Sequence, residues 1–480
     1  MADILFTHSY FLRFDPKQWR MQQPFAPLAT ITAAAHMREN GHSVALFDTM
    51  FAERADELKP KLVQHKPRFL VVYDDGFNYL TKMCLTNMRE AAFEMFQMAK
   101  QNGCKVLVSS SDATDHSLEY LQKGADFVMV GEGEQTLLAL VESINSGNED
   151  MSQMAGLRYL KDGEMVSTKP RLNLKELDQI PLPAWDLVNV EDYKQRWVGS
   201  KGYFSINLST TRGCPFKCNW CAKPIYGNRY NARSPENVVE ELKLLKARYQ
   251  FDHVWFCDDI FGLKPGWVSR FADLVQEAGL DFKFKIQSRA DLLLEENNIA
   301  DLARAGADEI WIGAESGSQK VLDAMDKGTS VAQIVEATRL MKKHKIKPCY
   351  FLQFGYPGEE FVDIQKTFEL VFKQMPYDIG VSVSYPLPGT KFYENVKSEL
   401  GSKSNWTDSD ELLVMFDSAY PPEFYKKLQR YVHYEFRKLA LAEKLKKGQG
   451  GIDGLISLAK LVYRIPLSVW SKQQLNKYVG

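Results

Sequence analysis

Cysteine is scarce in this chain, with seven in 480 residues, and that excludes a small scaffold held by a disulfide framework. Four of them, Cys84, Cys104, Cys257 and Cys349, are scattered without a pairing pattern, which fits a reducing cytoplasm. Net charge is nearly absent: 60 Lys and Arg against 61 Asp and Glu leave −1, so nothing in the overall balance points to nucleic acid. No uninterrupted apolar run reaches the ~20 residues of a membrane-spanning helix. The opening Met-Ala-Asp-Ile-Leu-Phe-Thr has no basic segment or cleavage site and reads as a buried strand, not a secretory leader. The length exceeds one ordinary core, so two domains plus an appendage are expected.

The cysteine that is present concentrates in one place. Cys214, Cys218 and Cys221 lie in the run Thr-Thr-Arg-Gly-Cys-Pro-Phe-Lys-Cys-Asn-Trp-Cys, residues 210–221. An iron–sulfur cube has four irons and normally four cysteine ligands. Three in tight spacing, with Gly213 before them and Pro215 among them, suit a short loop around a bulky inorganic ligand that keeps one iron open. Structural zinc is the alternative, but it wants four ligands, usually as two separated pairs. The nearest further candidates, His253 and Cys257, sit in an apolar segment that reads as a buried strand.

Residues 1–150 alternate short apolar runs with amphipathic stretches. Ile4–Thr7, Ser43–Phe47, Phe69–Tyr73, Val106–Ser109 and Phe127–Val130 read as strands; Leu28–Asn40, Ala52–His65, Leu80–Gln101, Ser117–Lys123 and Gln135–Asn145 read as helices. Gly41 and Gly103 stand where helix-ending glycines belong. This rhythm predicts an α/β fold whose N-terminal domain is a doubly wound parallel sheet. Residues 151–200 break it with a hairpin, Leu157–Tyr159 and Glu164–Ser167 around Asp162-Gly163, and a connector marked by Pro170, Pro181 and Pro183; the domain boundary falls near 190. Residues 201–400 hold a second series. Its strands are Ser205–Ser209, His253–Cys257, Phe282–Gln287, Glu309–Gly313, Lys347–Phe354 and Ile379–Tyr385; its helices are Pro235–Tyr249, Gly266–Ala278, Ile299–Ala305, Ser330–His344 and Glu360–Gln374. Six units predict a partial (β/α)6 barrel with its reactive face at the strand C-termini, and the cysteine run directly follows the first strand. Residues 401–480 form a helical, basic C-terminal extension, with Lys426, Lys427, Arg430, Arg437, Lys438, Lys444, Lys446 and Lys447 outnumbering acids. It reads as a cap on the barrel with a solvated basic face, or as a segment making peripheral membrane contact.

The cysteine run resembles the CxxxCxxC signature of radical S-adenosylmethionine (SAM) enzymes, and further segments over residues 1 to about 395 resemble the cobalamin-binding members of that family. The resemblance implies a 4Fe–4S cluster on Cys214, Cys218 and Cys221, with SAM on the open iron. Ser234 and Pro235 match an Arg-Ser-Pro-Glu helix start, read here as N-cap and first helical residue. Asp258 and Asp259 stand where the resemblance implies an approach to the SAM amino group; by residue type alone they fit a metal site or a helix cap, and the sequence does not separate the two. Arg289 is placed to pair bidentately with the SAM carboxylate or to salt-bridge Asp291. Gly313-Ala-Glu-Ser-Gly317 resembles the family's Gly-x-Glu-Ser-Gly segment, which implies SAM contacts for Glu315 and Ser316; otherwise they cap a helix, and Lys327 is a weaker candidate. Gly355, in a Gly-x-Pro-Gly-Glu turn, is implied to abut adenine. Gly131, Glu132, Gly133 and Glu134 resemble the Gly-Glu-Gly-Glu element that closes the family's cobalamin domains.

Two departures qualify the cobalamin half. The Asp-x-His-x-x-Gly motif is absent, and Ser109-Ser-Ser-Asp-Ala-Thr-Asp-His116 replaces a Gly-Gly-Pro-His-like turn. Either cobalamin binds without a histidine ligand or the domain does not bind it; His8 reads as a core or surface residue. Cys84 and Cys104 are too few for an auxiliary cluster, and no cysteine follows Cys349. The resemblance implies reductive SAM cleavage, hydrogen abstraction from an unactivated carbon and cobalamin-dependent methyl transfer, in a cytoplasmic or membrane-peripheral enzyme. The alternatives are a cyclase or oxidase acting on a tetrapyrrole or lipid without methyl transfer, and a non-catalytic sensor. Expected partners are a small-molecule, lipid or tetrapyrrole-like substrate and a reductant such as flavodoxin or ferredoxin, with no nucleic acid.

Overall fold

The computed structural model describes residues 2–77, 85–148, 150–401, 405–407, 411–446 and 451–478. Cys84, Lys447 and the start of the helix expected from Leu80 lie outside them. The chain forms two compact units: Met1–Phe216 with Lys223–Phe284 and Asn405–Glu411, and Lys217–Ala222 with Lys285–Ser404 and Leu412–Gly480.

In the first unit, strands β1 (Ile4–Thr7), β2 (Val44–Phe47), β3 (Phe69–Tyr73), β4 (Lys105–Ser109) and β5 (Phe127–Met129) lie in the order β2-β1-β3-β4-β5. Every pairing among them is parallel, for example Ile4 with Val44 and with Phe69. β1 and β3 are buried along their whole length, as strands covered on both faces must be. Helices α1 (Leu28–Glu39) and α4 (Glu134–Asn145) pack together, as do α2 (Leu58–His65) and α3 (Thr86–Gln101). The doubly wound expectation holds. α2 starts later than the sequence suggested, because Glu57 Oε1 accepts the backbone N–H groups of Glu53 and Arg54 and holds residues 53–57 in a tighter turn.

The hairpin β6 (Leu157–Lys161) and β7 (Glu164–Ser167) pairs antiparallel onto β5, Val128 opposite Arg158, and so extends the same sheet. Its turn has positive φ at both Asp162 and Gly163, the two-residue geometry that matches strand twist.

The second series supplies β8 (Ser205–Leu208), the short antiparallel pair β9 (Thr211–Arg212) and β10 (Asn231–Ala232), then β11 (His253–Phe256), β12 (Lys283–Ser288), β13 (Ala307–Glu315), β14 (Lys347–Phe354) and β15 (Asp378–Val383). The sheet order is β15-β14-β13-β12-β11-β8, with parallel registers such as Ser205 to His253 and Cys349 to Asp378. Helices α5 (Pro235–Tyr249), α6 (Trp267–Glu277), α7 (Asn298–Ala305), α8 (Val331–Lys343) and α9 (Phe361–Gln374) alternate with these strands. Ser234 Oγ accepts the N–H of Asn237 with Pro235 next in line, as expected of an N-cap. In the second unit, α10 (Pro422–Lys446) and α11 (Gly451–Asn476) pack on one another, and α10 also covers α9 and β15.

Candidate functional site

In the first unit, β8 ends in a loop whose shape is set by one buried carboxylate. Asp258, just beyond β11 and 1% exposed, accepts the N–H groups of Thr210 (2.7 Å) and Thr211 (2.8 Å) and the hydroxyls of Thr210 (2.6 Å) and Ser209 (3.2 Å). Burial lifts its carboxyl to about 6, against the pull of those donors. Four donors fill the acceptor sites of a carboxylate. Asp258 therefore anchors the loop before the cysteines. Asp259 is half-buried, a distinction between the pair that the sequence did not make.

β9 and β10 close the cysteine loop. Gly213 has φ +81, and a Cβ there would run into the Arg229 carbonyl oxygen, so the residue before Cys214 has to be glycine. Lys223 donates to the carbonyl of Cys214 (3.1 Å) and to that of Phe216. Arg212 is buried and reaches Glu132 (3.3 Å) and Glu134 (2.6 Å), with its guanidinium over the Tyr226 ring at 5.3 Å. Burial alone would raise both carboxyls. At Glu134 Arg212 overrides it and holds the carboxyl below its usual range, whereas Glu132 stays above, being only partly offset by Arg212. Glu132 also accepts the N–H of Leu174 at 2.6 Å. The Glu132 carboxylate ties the Gly131–Glu134 turn to the arginine of the cysteine run. Gly133 donates its N–H to the Tyr73 hydroxyl at 3.2 Å, and a Cβ there would meet Ser109 Oγ and the Tyr73 ring at 2.8 Å.

At the carboxyl ends of β1 and β3, where doubly wound sheets take ligands, Asp74 accepts the N–H and hydroxyl of Ser9 (2.6 and 2.9 Å). Asp75, pushed up to about 6 by burial, accepts the N–H of Leu28 at the start of α1 (3.3 Å). His8 is buried against Asp48 (2.9 Å) and Thr49, which makes it a core residue. In the Ser109–His116 segment, Ser110 caps a short helix through Ala113 N–H. Asp112 takes two bonds of 2.6 Å from Arg89 and one of 2.8 Å from the Tyr120 hydroxyl.

In the second unit, Asn219 is held on every side. Its N–H donates to Met325 O and its amide to Ala324 O, while its side-chain oxygen accepts the Tyr356 hydroxyl (2.8 Å) and its carbonyl the N–H of Phe392. This fixes the chain between Cys218 and Cys221, and the Cys221 N–H returns to Cys218 O at 3.2 Å. Arg289 grips Asp291 with two bonds (3.0 and 2.9 Å), donates to the carbonyls of Lys327 (2.8 Å) and Gly328 (3.3 Å), and sets Nη1 3.8 Å from Cys218 Sγ. The salt bridge to Asp291 is thus present, and one guanidinium nitrogen lies beside a cysteine sulfur. Glu315 ends β13 at φ +56 beside a register shift, a strained conformation for a non-glycine residue. Its carboxylate meets Lys327 Nζ at 2.7 Å, both side chains being buried. Burial pulls the Lys327 ammonium down, but Glu315 and Cys218 bring it above its usual value. Ser316 is fully buried; its hydroxyl bonds Thr367 Oγ1 (3.1 Å) and accepts the Ser318 N–H in a turn. Gly355 has φ +78 and faces the Tyr425 ring, which a Cβ would meet at 3.0 Å.

Cys214, Cys218 and Cys221 are all half-buried thiols. Among the described residues no three Cys, His, Asp or Glu side chains converge on a point where one metal ion would sit. A cube held at separate corners needs no such convergence. N–H donors near the sulfurs and loop carbonyls, from Arg289 and Lys223, suit a thiolate-bound cluster.

Residues 208–371 match the Radical SAM superfamily. That segment is a radical SAM domain. A 4Fe–4S cluster and SAM are the cofactors of that superfamily, and the donor set of the cysteine loop fits the cluster. The chain is 29% identical over 284 residues to an uncharacterized methyltransferase of Pyrococcus horikoshii, covering 58% of this chain and 60% of that one. It is 23% identical over 329 residues to the anaerobic magnesium-protoporphyrin IX monomethyl ester cyclase of Synechocystis sp., covering 68% and 64%. With the hopanoid C-3 methylase of Methylococcus capsulatus it shares 24% identity over 423 residues, 86% of this chain and 76% of that one. The matched part is thus less than two thirds of the length of the first two relatives. Among solved structures, the radical SAM methyltransferase TsrM of Kitasatospora setae, with cobalamin and a 4Fe–4S cluster bound, superposes with a TM-score of 0.69 at 17% identity, covering 83% of this chain and 75% of that one. The cobalamin-dependent radical enzyme OxsB, with aqua-cobalamin bound, gives 0.74 at 17%, covering 98% and 72%. At such identity these two establish the fold.

Two groups that the sequence missed matter most. The bridging role of Arg212 is a long-range contact with no local signature. Lys223, two residues past Cys221, had a signal in its position but none in its chemistry.

Proposed function

We propose that Cys214, Cys218 and Cys221 hold the 4Fe–4S cluster and that the enzyme transfers a methyl group to an unactivated carbon of an apolar or tetrapyrrole-like substrate with the help of cobalamin. The carrying observation is the cysteine loop itself: three half-buried thiols on a segment fixed by Asp258, Arg212 and Asn219, with Arg289 beside Cys218. Held there and reduced by a donor such as flavodoxin or ferredoxin, the cluster would supply the electron for reductive SAM cleavage, and cobalamin would supply the methyl group.

The protein's own residues do the positioning. Asp258 and Arg212 set where Cys214 leaves the sheet. Asn219 sets the spacing of Cys218 and Cys221. Lys327 holds the Glu315 carboxylate at the end of β13, where SAM has an ammonium and two ribose hydroxyls to offer it. Asp259, half-buried beside the anchored Asp258, remains the first unit's own candidate for SAM.

Methyl transfer is favoured by relatives named as methyltransferases and methylases. Cyclisation or oxidation without methyl transfer is the second reading, favoured by the likeness to three anaerobic cyclases. The test is anaerobic reconstitution with iron and sulfide, then SAM and a strong reductant. 5′-Deoxyadenosine should form well above the level given by Cys218→Ala; equal yields would refute the assignment. Protein from cobalamin-fed cells should show a corrinoid spectrum, and a colourless first unit would leave only the cyclase or oxidase reading.

A further inference from the structure

Helix α11 is turned inside out. The residues it buries against its surroundings are small or polar: Ser457, Ser468 and Ser471, at 4%, 2% and 2% exposure, followed by Leu475. Ser468 bonds Glu435 of α10, and Ser471 bonds the Ser468 carbonyl at 2.9 Å. The large apolar side chains point the other way. Leu455, Leu458, Val462, Tyr463, Val469 and Trp470 are between 49% and 69% exposed. A water-facing helix carries the opposite pattern, and a contiguous apolar face of this kind marks an interaction surface.

The charges identify the partner. Between residues 454 and 478 the charged side chains are Lys460, Arg464, Lys472 and Lys477, all basic. Lys460, Lys472 and Lys477 are exposed and Arg464 is half-buried. A second copy of the helix would bring the same sign of charge to the same face, whereas an anionic lipid surface brings the opposite sign. Tyr463 and Trp470 have the apolar body and polar edge that suit the headgroup level, and long basic side chains can reach up to the phosphates while their stems stay in apolar surroundings. No helix among the described residues is long and apolar enough to cross a membrane. We propose that α11 docks the enzyme on an anionic bilayer surface, lying in the interface with its apolar face down. This placement does not depend on whether the cysteine loop carries its cluster.

Full-length protein is sedimented with vesicles of phosphatidylcholine, alone or mixed with phosphatidylserine. The bound fraction should rise at least about tenfold with the anionic lipid, given three exposed lysines on the helix, and should fall at high salt. Val462→Ser with Trp470→Ser should abolish binding, and Lys460→Glu with Arg464→Glu should remove the preference for phosphatidylserine. Far-ultraviolet circular dichroism shows whether each variant keeps its helices. Trp470→Phe supplies a second readout: it should delete a blue-shifted component from the tryptophan emission of the vesicle-bound protein. Binding that ignores lipid charge, or that survives the α11 substitutions, overturns the proposal. So does a lipid-free dimer that Val462→Ser dissociates, which would make the face a contact between copies of the chain.

Discussion

Replacing Arg212 with Gln removes the one cation between Glu132 and Glu134, whose side chains are each 4% exposed. Deleting one partner of a buried ion pair costs about 3–5 kcal/mol when the remaining charge has no other escape. Here there is an escape, because each carboxyl can take up a proton. From an ordinary glutamate value of 4.5, protonation at pH 7 costs about 1.4 kcal/mol for each of ~2.5 pH units, so ~3 kcal/mol per carboxyl is the ceiling. The loss at pH 7 should therefore be about 3 kcal/mol, and up to twice that if both carboxyls respond.

The sign with pH follows. In the wild type, Glu134 sits below its usual value and adds stability above 4.5 that is lost on acidification. In Arg212→Gln, both folded carboxyls lie above their unfolded values, so the folded state holds more protons and gains as pH falls. The gap between the two proteins should be widest near pH 8 and narrow by about 1.4 kcal/mol per unit and per responding carboxyl toward pH 5. Urea denaturation followed by tryptophan emission at several pH values measures it. Iron content after reconstitution supplies an independent readout, because Arg212 stands two residues before Cys214. A gap under about 1 kcal/mol, or one that does not change with pH, would refute the bridging role.

Asp258→Asn should cost about 1–3 kcal/mol, since an amide cannot accept all four donors, and should lower cluster occupancy measured by iron and sulfide content. Gly133→Ala needs no change of backbone (φ −91) but drives a methyl into Tyr73 and Ser109, costing about 1–3 kcal/mol in thermal or urea unfolding. Lys327→Met should cost about 3–5 kcal/mol by leaving Glu315 buried and unpaired, and the double variant with Glu315→Gln should lose less than the sum of the singles. Burial pushes Glu359 up to about 8, against the Gly355 N–H that bonds it. Its folded value exceeds its unfolded one, so the wild type should lose about 1.4 kcal/mol per pH unit relative to Glu359→Gln between about 4.5 and 8; parallel pH profiles would sink this assignment.

Periodicity carried most of the fold. Ile4–Thr7, Phe69–Tyr73, Lys347–Phe354 and Pro235–Tyr249 have the bounds read from the sequence, because a fully covered strand and a capped amphipathic helix write their burial into local composition. The cysteine loop was legible for the same reason: ligand spacing is local. Legibility failed where one residue had several chemically equivalent partners within reach. Arg289 could be read toward a ligand carboxylate or Asp291, and only the structure shows its two bonds to Asp291. Nothing in the linear string pairs Ser316 with Thr367, far along the chain. Nor does it bring the Tyr425 ring against Gly355.

The sequence by itself determined the two α/β series, the three thiols and their place after the first strand of the second series, since period and spacing survive in a linear string. Only the tertiary structure decided that Asp258 anchors the loop at Thr210 and Thr211, that Glu132 and Glu134 belong to Arg212, and that α11 buries its serines while Leu455 and Leu458 stand exposed. Each of those outcomes is a competition between partners distant in sequence, and distance in space, which sets both hydrogen-bond geometry and desolvation, resolves it.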